Sequence, residues 1–172
     1  YAKYHGFQDY RGGGHFSGRS TAPVVAAGAI CLQILARHGV TVGTHIARCA
    51  GITDAALPAE EPALTAALHA LNDTDFAVLD KTSGDAMKLQ SERAKEQFDS
   101  VGGVLETAVT GHAPGLGEPW FWSVESELAH LLLSVPAVKG VEFGGGFALA
   151  DARGSAANDA FCYDDAGRVV TK

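Results

Sequence analysis

The chain has 172 residues and a net charge of −7, with 47% hydrophobic and 19% charged residues. This size and composition suit one ordinary folded domain and exclude a disordered chain. The acidic balance argues against nucleic acid as the main partner, and no uninterrupted apolar run reaches the roughly 20 residues that a membrane span needs.

The first predicted element is a helix over residues 20–37. Ser20 or Thr21 can cap it, and Pro23 suits its first turn. Its interior is apolar almost all round, which predicts burial on most of its faces. Residues 40–46 then alternate between apolar and polar residues as a strand does.

The middle of the chain shows weaker patterns. Residues 51–80 predict an irregular connection interrupted by prolines, with room for a short helix at 63–70. Residues 82–98 are charged and amphipathic, which indicates a surface helix. Residues 104–110 alternate as a second strand.

A second strongly apolar helix is predicted over residues 121–135, and Pro136 ends it. Strand patterns follow at residues 138–143 and 147–150, separated by three glycines, and return at Val169 and Val170.

This order of elements permits a doubly wound parallel sheet. The two apolar helices, however, are too apolar for helices exposed on one side, and the strands alternate as half-solvated antiparallel strands do. The pattern therefore favours an α+β fold in which apolar helices lie between antiparallel β-sheets.

The most informative stretch is residues 11–21, which read RGGGHFSGRST. Three glycines allow a tight turn, and an arginine and small hydroxyl residues precede a helix start, a combination that favours an anion such as phosphate. The pattern lacks the ending of a Walker A loop, and no strand leads into it as in a dinucleotide fingerprint. A flexible connector is the alternative. Residues 1–22 are therefore a candidate glycine-rich ligand-binding loop.

The charge distribution bears on the same segment. Residues 1–48 hold one acidic residue and five basic ones, which are Lys3, Arg11, Arg19, Arg37 and Arg48. This imbalance predicts a local anion site in an acidic protein, and scattered surface charges are the alternative.

Other candidate residues carry weaker signals. His130 is expected to be a packed or partly exposed helix residue and not a catalytic base. His38 is expected to lie near a helix end, and Glu118 to start a helix. The remaining histidines outside the loop have no partner pattern in sequence; they are His5, His45, His69 and His112. No catalytic triad or metal-ligand spacing is visible, and the three widely spaced cysteines predict a reducing, cytoplasmic location.

Several motifs resemble chorismate synthase. Residues 9–22, DYRGGGHFSGRSTA, are similar to the family segment DYRGGGRSSARETA, with HFSGR as a variant form. Further similar segments follow in the family's order: DSVGG at 99–103, GLGEP at 115–119, LAH at 128–130 and SVPAVKGVEFG at 134–144. The resemblance extends along essentially the whole chain.

The resemblance implies a lyase that removes phosphate from 5-enolpyruvylshikimate 3-phosphate by 1,4-anti elimination to give chorismate, with reduced FMN as cofactor and NADP as an associated nucleotide. Family flavin contacts correspond to His15, Phe16 and Ser17, with Gly18 adjacent, and Arg19 corresponds to a substrate-binding arginine. His15 replaces an arginine, which makes any positive charge there depend on pH, and Phe16 replaces a serine and can only stack or pack.

The resemblance also implies that residues 1–172, as a single domain, are the central part of a longer chain. The family's GESHG, RPGHAD and RHDP motifs are absent from this sequence, so the chain holds no family catalytic histidine and is expected to be inactive alone. The family fold places helices between antiparallel sheets in a homotetramer. The alternatives are a non-catalytic phosphate- or flavin-binding module and a structural fragment that binds nothing.

Overall fold

The computed structural model describes residues 1–171. The chain divides into two compact units, a middle unit of residues Ser20–Gly115 and an outer unit formed by Tyr1–Arg19 together with the chain from Leu116 onward. The single-domain assignment stays a prediction.

The middle unit contains three helices and three strands. In chain order they are α1 Ala22–Arg37, β1 Thr41–Cys49, β2 Ile52–Thr53, α2 Glu61–Asn72, α3 Lys81–Glu96 and β3 Gly103–Thr110. The strands form one antiparallel sheet in the order β2-β1-β3. The α+β prediction is confirmed, and the parallel sheet considered as an alternative is wrong for these strand pairs.

Helix α2 packs on β1 and β3 and forms the core of the middle unit. Leu68 and Leu71 of α2 are buried, as is Met87 of α3. Gly43 of β1 lets α2 approach closely, because a Cβ at position 43 would lie 2.8 Å from the Cβ of Leu68. A hydrogen bond from Thr65 to Thr110, 2.8 Å long, joins α2 to β3. A substitution that enlarged residue 43 would therefore push the helix off the sheet.

A bulge interrupts the β1–β3 register just beyond His45. His45 lies opposite Glu106, and the register shifts between Ile46 and Arg48. The extra residue bends β1, as bulges do. The backbone N–H of Asp54 then donates to the Ala47 carbonyl at 2.9 Å, which draws the chain after β2 back toward β1.

The outer unit contains shorter elements. They are a 3-10 turn at Arg11–Phe16, α4 Val124–Ser134, a 3-10 turn at Gly146–Asp151, α5 Gly154–Ala157, β4 Phe161–Tyr163 and β5 Val169–Thr171. A second 3-10 turn, Gly18–Thr21, crosses from this unit into the middle unit. β4 and β5 pair antiparallel.

Three predicted elements differ from the structure. Residues 138–143 are irregular, and 147–150 belong to a 3-10 turn, so both predicted strands are wrong. A strand needs a partner, and within residues 1–171 neither stretch has a paired strand. Residues 51–80, predicted as an irregular connection with room for a short helix at 63–70, contain β2 and the whole of α2, Glu61–Asn72; the helix is present and longer than predicted, and β2 was not predicted.

The two apolar helices are present but exposed in this chain. Neither α1 nor α4 contains a buried residue. Val25 and Ile30 of α1 are 69% and 61% exposed, and Leu131 of α4 is 59% exposed. The helical stretch Gly18–Arg37 is also long and apolar enough to cross a membrane by length and composition alone, a test that the core helix of a soluble protein passes too. Burial of both helices in a complete assembly stays a prediction.

Candidate functional site

The glycine loop is a tight turn that only glycine suits well. Gly12, Gly13 and Gly14 have φ angles of 64°, 79° and 50°, which side chains rarely adopt. A Cβ on Gly13 would lie 3.2 Å from the Cβ of Ser17, and one on Gly14 would lie 3.1 Å from the Asp9 carbonyl oxygen. The three glycines therefore both set the backbone conformation and keep the inside of the turn open.

Arg11 is held by an acidic neighbour. Its backbone N–H and its Nε–H both donate to Oδ1 of Asp9, each at 3.0 Å. The side-chain and backbone hydrogen bonds from Arg11 lower the pKa of Asp9 below its ordinary value. The carboxylate offsets the charge of Arg11, so Arg11 is a poor candidate for binding an anion through its guanidinium.

Arg19 lies on the other side of the turn. Its Nη2 would be 3.3 Å from a Cβ at position 12, so the guanidinium rests beside Gly12. Its backbone N–H donates to Ser17 Oγ at 3.4 Å. Arg19 is exposed, as is the Gly12 backbone. The loop thus presents a solvent-accessible guanidinium over an open stretch of backbone.

An aromatic side chain, Phe16, lies three positions before Arg19 on the same loop. Phe16 is 67% exposed, and its ring is 6.2 Å from that of Tyr4 at an angle of 57°. His15, the preceding residue, is exposed too. An exposed phenyl ring and an exposed arginine on the same loop suit a ligand that combines a planar ring with an anionic group.

The chemistry of the loop fits a flavin phosphate or a phosphorylated substrate. Arg19 supplies charge-assisted donors, Ser17 a hydroxyl, and the glycines an approach for a ligand close to the backbone. Oε1 of Gln8, just before the loop, is a buried acceptor with no hydrogen-bond partner among residues 1–171. A donor from a ligand or from another segment would satisfy it.

The structure places all five predicted site residues on this one loop; they are His15, Phe16, Ser17, Gly18 and Arg19. Their ligand-binding roles stay predictions. The sequence also predicted that a helix start after the loop contributes to the anion site; that helix is α1, which begins at Ala22.

The GLGEP segment forms a turn before α4. The Glu118 N–H donates to the Trp122 carbonyl at 2.8 Å, and a Cβ on Gly117 would lie 2.8 Å from the backbone nitrogen of Val124. Ser123 caps α4 by accepting the Ser126 N–H. The expectation that Glu118 starts the helix is wrong, because α4 begins at Val124.

Sequence reasoning missed a buried cluster around His45 in the middle unit. His45 is 1% exposed, its Nδ1 lies 2.8 Å from Oδ2 of Asp54, and its Nε2 lies 2.8 Å from Oε2 of Glu106. The partners are 9 and 61 positions away in sequence. Pairing residues 40–46 with residues 104–110 in the correct register would have placed Glu106 opposite His45. The alternation of apolar and polar residues in each strand does not fix that register.

Asp54 is the fixed point of this cluster. Its Oδ2 also accepts the Leu79 N–H at 2.6 Å, and its Oδ1 accepts the Asp80 N–H at 2.9 Å. Burial alone would raise the pKa of Asp54, but the N–H groups of Leu79 and Asp80 and the His45 ring together lower it. Asp54 is therefore an ionised carboxylate that ties the chain before α3 to the sheet.

Comparison with known proteins decides the family. A family model described as chorismate synthase matches residues 1–171. The chain belongs to the chorismate synthase family. The order of the chorismate synthase motifs in the sequence agrees with this assignment, and the resemblance drawn from those motifs is confirmed.

Individual relatives match almost the whole chain. The chorismate synthase of Thermococcus kodakarensis is 44% identical over 170 residues, which cover 99% of this chain and 45% of the relative. That of Chitinophaga pinensis is 43% identical over 169 residues, covering 98% of this chain and 41% of the relative. A crystal structure of chorismate synthase matches with a TM-score of 0.79 at 26% identity, over 90% of this chain and 49% of that one. The chain thus spans less than half the length of these relatives.

Proposed function

We propose that this chain is the part of a chorismate synthase that carries its glycine-rich ligand loop. The whole enzyme is then a carbon–oxygen lyase of the shikimate pathway and aromatic amino-acid biosynthesis. It removes phosphate from 5-enolpyruvylshikimate 3-phosphate by 1,4-anti elimination and yields chorismate. The observation that carries the proposal is the family match along residues 1–171.

Arg19 is the proposed substrate-binding residue. Its guanidinium is exposed beside the open backbone of Gly12, whereas Arg11 is paired with Asp9. A planar guanidinium can donate two parallel hydrogen bonds to a phosphate. Each charge-assisted hydrogen bond contributes about 1.5–3 kcal/mol. Arg19 therefore holds the phosphate that leaves, and it offsets the negative charge that builds up on it as the carbon–oxygen bond breaks.

The remainder of the loop is proposed to bind reduced FMN. Phe16 offers a ring face, Ser17 a hydroxyl, His15 a ring nitrogen, and Gly18 adds no side chain to obstruct a ligand. When bound, reduced FMN supplies the electron-rich ring that the elimination requires, without net oxidation or reduction of the substrate. The NADP implied by the resemblance stays a prediction.

In this proposal the chain's own residues bind and orient the substrate and reduced FMN, and they do not transfer the protons. In a 1,4-elimination, one ring carbon loses a proton and another loses phosphate with its bonding electrons, so a base and a group that stabilises the leaving phosphate are both required. The GESHG and RPGHAD motifs that would supply the family histidines are absent from this sequence. Proton transfer is therefore assigned to other segments of the whole enzyme.

The assembly and location follow from the same proposal. A cytoplasmic homotetramer would cover apolar surface that this chain leaves exposed, such as Ile30 of α1 and Leu131 of α4. Covered by the remaining chain or by other subunits, these helices would become the inner layer between sheets.

The test is an assay of the full-length protein with 5-enolpyruvylshikimate 3-phosphate and chemically reduced FMN under anaerobic conditions. Chorismate and inorganic phosphate are expected in equal amounts. FMN and substrate binding without chorismate formation would point to the non-catalytic binding module, and no binding of either would leave only a structural role.

A further inference from the structure

The cluster of Asp54, His45 and Glu106 has a chemical consequence that the proposed function does not use. The three side chains lie within the middle unit and join the end of β2, β1 and β3. His45 and Asp54 have side chains that are 1% and 0% exposed, whereas the side chain of Glu106 is 52% exposed. The ring therefore lies between one carboxylate sealed in the interior and one at the surface.

Both ring nitrogens face a carboxylate oxygen at 2.8 Å. An ionised carboxylate only accepts hydrogen bonds, and a neutral imidazole carries a proton on only one nitrogen. A neutral ring would thus direct a lone pair at one of the two carboxylates. Only the doubly protonated ring donates to both partners.

The two carboxylates differ in how freely they can move. Asp54 also accepts hydrogen bonds from the N–H groups of Leu79 and Asp80, at 2.6 and 2.9 Å. If the Asp54 carboxylate moved away from the His45 ring, these two N–H groups would lose their acceptor and a buried anion would lose its partners. Glu106 has only His45 as a side-chain partner among residues 1–171 and can rotate into solvent.

We propose that His45 is a pH-responsive latch, which holds the Glu106 carboxylate against β1 while both ring nitrogens carry protons and releases it to solvent when Nε2 loses its proton. The proton passes to water, and Nδ1 keeps its own because Asp54 stays in place. The cluster then loses the positive charge of the ring, and the Glu106 carboxylate, which was already ionised, stands unpaired on the surface of β3.

The charged groups around the ring come from three elements. Glu106 faces it from β3, and Asp54 faces it from the chain after β2. Asp80, at the start of α3, is close enough to Asp54 for their charges to repel. The two groups in contact with the ring are therefore both carboxylates.

The experiment follows the ring of His45 and the carboxyl carbon of Glu106 by NMR in the full-length protein, labelled at histidine and glutamate, as pH is raised. We expect Nε2 to lose its proton while Nδ1 keeps its own. We expect the Glu106 carboxyl signal to move at the same pH. Loss of the Nδ1 proton first, a singly protonated ring throughout, or a Glu106 signal that ignores the ring would overturn the latch.

Glu106→Gln tests the same point in a variant that keeps the fold, because position 106 is half exposed and Gln is isosteric. In the wild type the melting temperature should fall as pH rises through the loss of the Nε2 proton, because the contact between His45 and Glu106 is lost with it. Gln can accept from a protonated Nε2 or donate to a deprotonated one, so this fall should be smaller in Glu106→Gln. Glu92→Gln, at an exposed position of α3, is the matched control and should leave the wild-type pH profile in place. An equal, pH-independent change in melting temperature for Glu106→Gln would mean that the residue is merely structural.

Discussion

The guanidinium of Arg19 lies beside Gly12, and a Cβ at position 12 would be 3.3 Å from its Nη2. Both residues belong to the outer unit: Gly12 is the first of the three glycines of the turn, and Arg19 follows the turn. The size of residue 12 therefore limits where the Arg19 guanidinium can rest.

Gly12→Ala in the full-length protein is expected to weaken binding of the phosphorylated substrate roughly three- to tenfold, which corresponds to about 0.7–1.4 kcal/mol. The methyl group would displace Arg19, and the positive φ would add strain. The measurement is a titration of substrate binding in wild-type and Arg19→Ala backgrounds. The part of the loss that comes from displacing Arg19 should disappear once Arg19 is absent, because coupled effects are not additive, and only the part that comes from backbone strain should remain.

Gly13→Ala is the matched control for that cycle. It imposes the same left-handed strain, but its Cβ would meet Ser17 and not Arg19. Its effect should be equal in both backgrounds. If Gly12→Ala behaves in the same way as Gly13→Ala, the contact with Arg19 has no bearing on the ligand.

Asp54→Ala is expected to lower the free energy of unfolding by about 3–5 kcal/mol, because it leaves His45 without its buried partner and strands the N–H groups of Leu79 and Asp80. Urea denaturation of the full-length protein measures the change. Asp85→Ala, at an exposed position of α3, should stay within about 0.5 kcal/mol of wild type. Similar losses for both variants would contradict the role of Asp54 as an anchor.

Acid should lower the stability of the fold over a defined pH range. Hydrogen bonds lower the pKa of Asp54 and, mainly through Ser83, that of Asp80 from the ordinary value of 3.8. Carboxylates with lowered folded-state pKa values contribute stability above about pH 4, and that stability is lost as pH falls through the folded values. Melting temperature recorded from pH 6 to pH 2 should fall mostly below pH 4. If the melting temperature of Asp80→Asn fell below pH 4 as steeply as that of the wild type, this assignment of Asp80 would be contradicted.

Local patterns predicted the helices well and the strands less well. Residues 20–37 and 121–135 contain α1 and α4 because apolar spacing, a proline in the first turn and Pro136 after the last turn are all local signals. Residues 138–143 alternate as a strand but do not form one, because pairing depends on a partner elsewhere in the chain.

The same distinction separates the parts of the site. The glycine loop is visible in sequence because its residues are consecutive. The His45 cluster is not, because Glu106 is brought to it by β1–β3 pairing across 61 positions, which no local pattern shows.

Leu132→Asp should abolish soluble expression of the full-length protein. Leu132 is 43% exposed in this chain, and α4 has apolar residues on more than one face, which predicts that another segment or subunit covers it. An unpaired carboxylate in that covered position would be severely destabilising. Glu92→Ala, on the charged helix α3, should change stability by no more than about 0.5 kcal/mol. A soluble, active Leu132→Asp enzyme would mean that α4 stays exposed in the whole protein.

The 172-residue chain alone should produce no chorismate from 5-enolpyruvylshikimate 3-phosphate and reduced FMN. The motifs that would supply the family histidines are absent from it, so the acid–base steps lack their groups. The measurement is phosphate release by the purified chain at high concentration, with the full-length protein as the positive control. Turnover by the chain alone would show that the chemistry resides in these residues.

The most direct test of the loop as the phosphate site compares Arg19→Ala with Arg37→Ala in the full-length protein. Arg19 rests beside the glycine turn, whereas Arg37 is an exposed residue at the end of α1. Calorimetric titration with 5-enolpyruvylshikimate 3-phosphate should show a dissociation constant roughly ten- to a hundredfold higher for Arg19→Ala, the equivalent of one charge-assisted hydrogen bond of about 1.5–3 kcal/mol, and little change for Arg37→Ala. Equal dissociation constants for the two variants would contradict the assignment of the glycine-rich loop as the substrate's phosphate site.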